Sequence, residues 1–261
     1  MKSYLATITT FVICAGLTGA QAQFGPRGGG MMGGQPHGPD FSGPMAKIFG
    51  DHPSFSATMD MQSADPSSGG KPMVAEGKIA VSDGKSRFEI DMAKAMGSQM
   101  PPEQAASMKA MGLDSMVMIS RPDLKVSYMV YPGMNAYVET AVTNSTAAAG
   151  MDQYKITATE LGRETVDGHA CVKNKVVVTD DQGGQHESTV WNATDLNNFP
   201  VKIESNESGV ASTMTFKDIK FDKVAPSQFE APAGATKYSD MMTLMQQQMM
   251  KRAMQNHAGG N

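Results

Sequence analysis

The chain has 261 residues, with 26 Asp and Glu against 22 Lys and Arg, and its formal charge of -4 comes with no basic run, which argues against nucleic acid as a partner. Its 40% apolar content is ample for a sizeable core, yet aromatics make up only 7% while methionine occurs 24 times, so thioethers replace much of the usual bulky packing. Two cysteines, one of them inside the first 22 residues, exclude an internal disulfide framework for the remainder of the chain.

Residues 1–23 read MKSYLATITTFVICAGLTGAQAQ: one lysine, an apolar run from Leu5 to Leu17, then Ala20-Gln21-Ala22. This is the pattern of a cleaved secretory signal, and the run is well short of the roughly 20 residues that span a bilayer. Cleavage after Ala22 is expected to leave a mature chain starting at Gln23 in the periplasm or outside the cell, with Lys2 lost and the formal charge moved from -4 to -5. A lipid on Cys14 is not expected, because Ile13 stands where lipidation needs a small residue. Cys171, then alone, is expected to be a small buried apolar group.

From Gln23 to Pro44 the chain is too rich in Gly and Pro to hold a helix and is expected to be a flexible leader. Period-two alternation follows, with Phe55, Ala57, Met59 and Met61 on one strand face and Ser54, Ser56, Thr58 and Asp60 on the other. Met73 to Val81 and Ser86 to Met92 flank Asp83-Gly84, a strong hairpin signal. Met92 to Leu113 breaks the rhythm, and Pro101-Pro102 before EQAASMKAMG predicts a short helix. Strands are expected at Ser115 to Ser120, Lys125 to Tyr131 and Asn135 to Thr140, then at Tyr154 to Glu160, Ala170 to Thr179, Gln185 to Trp191, Val201 to Ser205 and Val210 to Ile219. Ser239 to Gln255, with a Ser-Asp start and methionines at helical spacing, predicts a terminal helix. About ten short strands with few helices predict a mainly β fold, one strongly curved antiparallel sheet with helices against one face. The expected division is a signal over 1–22, a leader over 23–44, the sheet domain over 45–238 and a methionine-rich helix and tail over 239–261.

No catalytic residue is expected. The chain lacks G-x-S-x-G, H-E-x-x-H, a P-loop and a dinucleotide fingerprint. Histidines at 37, 52, 169, 186 and 257 do not converge locally, and His169 follows Asp167-Gly168 as part of a tight turn rather than as a metal ligand. The sequons beginning at Asn144, Asn192 and Asn206 read as chance occurrences. Methionine is the chemical anomaly, clustered at Met31-Met32, from Met92 through Met118 and from Met241 to Met254. On the terminal helix Met242, Met245 and Met249 fall at i, i+3 and i+7 and are the candidate ligand-binding stripe. Met241, Met242, Met245 and Met249 are also the alternative set for Cu(I), since soft thioethers ligate it; adaptable apolar packing is the favoured use, and no cofactor is expected.

The order EGKIAVSDGKSRFEID, MVMISRPDLKVSYMVYPGMNAYVE, ELGRETVDGHACVKNKVVV, STVWNATDLNNFPVKIE and FEAPAGATK resembles the bacterial periplasmic family called domain of unknown function 4412, and more loosely the LolA-like outer-membrane lipoprotein carriers. Gly77, Arg87, Asp123, Gly162, Glu164, Gly168, His169, Cys171, Trp191, Pro200, Phe229, Pro232 and Gly234 carry the match. The resemblance implies a half-barrel closed by helices over an apolar concavity, with no catalytic residues to transfer. The methionine-rich insertion, the leader and the long terminal helix depart from that pattern. The leading expectation is a non-enzymatic envelope protein that binds a lipid or other apolar small molecule between sheet and helices. A methionine-rich periplasmic copper binder, and a structural module that contacts another envelope protein, are the alternatives.

Overall fold

The computed structural model describes residues 43–64, 73–95, 101–142, 154–180, 182–207 and 209–258. The signal pattern, Cys14, Met31-Met32, His37, the sequon at Asn144 and all but the last two residues of the expected leader lie outside them. Those last two residues, Gly43 and Pro44, instead open helix α1, Gly43–Phe49. The reason is Phe49, which is 5% exposed and stacks on Phe55 with ring centroids 5.0 Å apart.

Twelve strands form one curved, open sheet: β1 Ser54–Ala64, β2 Met73–Ser82, β3 Lys85–Asp91, β4 Ser115–Arg121, β5 Val126–Tyr131, β6 Ala136–Ala141, β7 Lys155–Val166, β8 His169–Thr179, β9 Gln185–Ala193, β10 Phe199–Glu207, β11 Val210–Lys220 and β12 Thr236–Tyr238. Their order is β12-β6-β5-β4-β3-β2-β1-β11-β10-β9-β8-β7. Every pair is antiparallel except β12 with β6. Tight turns set most of this. Asp83 and Gly84 adopt φ of 51° and 76°, and Asp167 and Gly168 adopt 46° and 87°, the paired positive values of a two-residue hairpin turn whose twist matches the strands. β7 runs on past Glu160 because a bulge between Glu160 and Gly162 absorbs one residue and lets pairing with β8 resume. β10 begins at Phe199 and includes Pro200, whose missing N–H is accommodated by a register shift before Lys202.

The inner face, the one that the helices cover, holds the main core. Phe55, Ala57 and Met59 of β1 are buried there, as their alternation predicts, and Phe199 and Phe216 meet Phe55 from β10 and β11. Helix α1 packs against β8 and β10, and the short α2, Met92–Ala95, against β2, β3 and β4. Helix α3, Pro102–Met111, buries none of its side chains. It is held instead through Gly112, at φ 70°, whose backbone lies so close to Gly133 that a Cβ on Gly112 would stand 2.6 Å from the Gly133 carbonyl.

After β11 the chain crosses the outer face to reach the far edge. Val224 and Phe229 of this strap pack on Ala80, Val117, Ile119 and Val130, forming a second, smaller core. The Arg121 guanidinium donates to the Phe229 carbonyl at 3.2 Å while its other nitrogens hold Asp123 at 2.8 Å, which keeps the Asp123 carboxyl below its usual range. β12 then pairs with β6, and α4, Met241–Ala258, returns to the inner side.

Candidate functional site

Register places a continuous line of apolar side chains across the inner face. Ala57, Ile79, Phe88, Met118, Met129, Val138 and Tyr238 are successive cross-strand partners from β1 to β12. Cross-strand partners stand about 5 Å apart, so these residues form one floor. Ile79 and Phe88 are 2% and 3% exposed, but Met118 and Met129, directly opposite each other, are only half-buried. Beside that line run Ser86, Ser120, Ser127 and Thr140, again successive partners, so a ladder of hydroxyls borders the thioethers. The strand alternation leaves no charged side chain on the inner face of β3, β4, β5, β6 or β12. Arg87, Glu89, Arg121, Glu139 and Lys237 all take the outer positions of those strands. The Tyr131 hydroxyl donates to the Met129 sulfur at 2.7 Å, and burial pushes that phenol up to about 12.

Helix α4 stands over this end of the sheet, packed on β6 and β12. Leu244 is fully buried, with Met241 and Met245 packed on the core beside it. Met242 and Met249 are 77% and 64% exposed, and Met250 and Met254 are exposed too. The packed face is therefore Met241, Leu244 and Met245, rotated from the expected stripe of Met242, Met245 and Met249. Leu244, the one branched aliphatic side chain of the helix, takes the deepest position and fixes the rotation. Of the four thioethers named for Cu(I), Met241 and Met245 lie inward and Met242 and Met249 on the exposed flank. Among the described residues, no group of three or more His, Cys, Asp or Glu is placed to hold a metal ion.

Asp240 starts the helix. Its carboxylate accepts from the Thr243 N–H and hydroxyl at 2.7 and 2.8 Å and from the Ser239 hydroxyl at 2.7 Å, bonds that hold its pKa below the ordinary 3.8. A depressed folded-state pKa adds stability at pH above the unfolded value and loses it as pH falls through the folded one. Amides of α4 are accordingly expected to exchange hydrogen faster, relative to those of the sheet, at pH 3 than at pH 6. Asp240→Asn, which keeps a capping oxygen without the titration, should flatten that difference, and an unchanged pH dependence in the variant would refute the assignment.

The remaining landmarks hold the fold. Trp191, 2% exposed, lies between the Lys173 and Lys202 ammonium groups at 4.8 and 4.3 Å and donates from Nε1 to Glu164 at 2.9 Å. Lys173 and Trp191 together keep the Glu164 carboxyl below its ordinary pKa. His169 meets Asp195 at 2.7 Å, but the sulfur two residues along is a poor nucleophile, because Cys171 is 2% exposed and burial pushes its thiol up. Two open hollows of about 510 and 700 Å³ lie on the outer face, both lined by Arg87, Glu89 and Gln228. Their floor carries the Arg87–Glu89 ion pair at 3.2 Å, which suits an apolar ligand less than the uncharged inner floor does.

The sequence reading missed Met129, Tyr131 and Tyr238. Strands are expected over β4 and β5, but which methionines meet depends on register, and the position of Tyr238 depends on a three-residue strand paired far along the chain.

A search of curated proteins finds no match. Among solved structures, the chain is similar to a LolA superfamily protein from Nitrosomonas europaea, at 12% identity over 71% of this chain and 93% of that one, TM-score 0.33. It is also similar to the Mycobacterium tuberculosis lipoprotein LppX, at 9% identity over 67% and 90% of the two chains, TM-score 0.38. A third likeness is to a DUF1329 family protein from Desulfovibrio piger, at 12% identity over 72% and 98%, TM-score 0.32. The family model described as domain of unknown function DUF4412 matches residues 55–199, from the first buried phenylalanine of β1 to the first residue of β10. With more than half of its length matched, the chain belongs to the DUF4412 family.

Proposed function

We propose that the protein is a non-enzymatic binder of a lipid, acyl chain or other apolar small molecule, held on the inner face between β4–β6 and helix α4, and that it works in the cell envelope after loss of residues 1–22. The observation that carries this reading is the uncharged floor at Met118 and Met129, half-buried at the foot of a helix that packs on one sheet edge. Thioethers are polarizable and their side chains repack easily, so such a floor accepts apolar shapes without one fixed geometry. In this reading Met245 touches the ligand from above. Met242 and Met249 lie on the outer flank of the helix and make no contact with it.

An apolar fluorescent probe is therefore expected to bind the mature protein and to be displaced by long-chain lipids. Met245→Asp should weaken probe binding about tenfold or more, because the new carboxylate would be desolvated at the site, whereas Met249→Asp should leave it unchanged. Equal binding by the wild type and Met245→Asp, both folded, would instead favour a structural module of the envelope.

A further inference from the structure

We propose that the Tyr238 hydroxyl is the polar anchor of this site, donating a hydrogen bond to the neutral carbonyl oxygen of an acyl ligand; the inference rests on the binding reading above. Two buried side-chain polar atoms among the described residues have no hydrogen-bond partner, Ser54 Oγ and Tyr238 Oη. A buried phenol that donates to nothing is unusual, since such groups are ordinarily satisfied by protein or water, and one left open points to a missing acceptor. Ser54 lies on the outer side of β1 and Tyr238 on the inner side of β12, 3% exposed, at the end of the line that runs through Val138 to Met129 and Met118. The other phenol nearby is already engaged, Tyr131 donating to the Met129 sulfur. Tyr238 is thus the open donor on the same line as the thioether floor, at its β12 end and two strands from Met129.

The charge pattern selects the acceptor. With no cation on the inner face of β3 to β6 or of β12, a carboxylate entering there would lose its hydration without a counter-charge. An ester or similar neutral carbonyl needs only the one donor that Tyr238 offers, while its alkyl chain lies along Val138, Met129 and Met118. Ester-linked acyl chains are therefore favoured over free fatty acids.

The test is displacement of a bound apolar probe from the full mature protein by methyl palmitate, palmitate and hexadecane, for wild type and Tyr238→Phe. The substitution removes a hydroxyl that makes no bond within the protein, so the fold should be retained. Methyl palmitate is expected to bind wild type better than palmitate at neutral pH. It should lose about tenfold in Tyr238→Phe, about 1.4 kcal/mol, while hexadecane is unaffected. Equal methyl palmitate affinity in the two proteins, or an equal loss for hexadecane, overturns the anchor and leaves the apolar site standing. Tighter binding of palmitate than of the ester overturns the preference for a neutral carbonyl. Failure of all three compounds to displace the probe from wild type overturns both the anchor and the site beneath it.

Discussion

Phe199→Ala is expected to cost about 4 kcal/mol and to lower the melting temperature by roughly 10 °C, the largest loss from any single truncation of the aromatic core. Phe199 is fully buried, and its ring centroid lies 4.9 Å from that of Phe55, 5.5 Å from Phe49 and 6.0 Å from Phe216. It also meets His52 and Phe221 at 5.2 and 5.5 Å. One side chain thus joins α1, β1, β10 and β11, the centre of the sheet. Phe49→Ala removes a ring from the periphery of the same cluster and should cost less. Chemical denaturation with the slope held constant would check the order, and a Phe199→Ala protein that melts like wild type would show that the cluster repacks.

Gly77→Ala is expected to destabilise by about 3 kcal/mol despite adding a single methyl group. The new Cβ would stand 2.5 Å from Phe88 Cε2 and 2.6 Å from the Glu89 carbonyl oxygen. The ring could swing away, but the carbonyl belongs to the β2–β3 ladder and cannot move without breaking it. Phe88 is the direct partner of Met118, so the substitution should also disturb the proposed ligand floor. Gly77→Ala with Phe88→Leu should recover part of the stability, the part owed to the ring and not to the carbonyl. Gly50 provides the contrast: it needs its φ of 52° but nothing lies within 4 Å of the added Cβ, so Gly50→Asn should cost well under about 1 kcal/mol.

Signals carried by neighbouring residues were legible in the sequence. Phe55 and its alternating neighbours announce a strand with one buried face, and Asp83-Gly84 announces the hairpin, because both signals are local. Helix α1 was not legible: seven residues give too little periodicity, and what orders them is the stacking of Phe49 on a strand. β12 is three residues long and exists through pairing with β6, roughly a hundred residues earlier in the chain. The strap was hidden for the same reason, since Phe229 finds its partners on β4 and β5 across the outer face. The candidate site divides likewise. The weight of methionine drew attention to the terminal helix, but Leu244 rotates it so that Met245 alone of the expected three is packed inward. Met118 and Met129 become a pair through register, and Tyr238 joins them through β12.

Native mass spectrometry of the protein isolated from its native source tests the central claim most directly, because it weighs whatever the folded protein carries. The expected species starts at Gln23 and carries an additional mass matching an acyl lipid, which is released on unfolding and lost in a folded Met118→Asp variant. A bare polypeptide would contradict the account, and so would a mass increment matching copper.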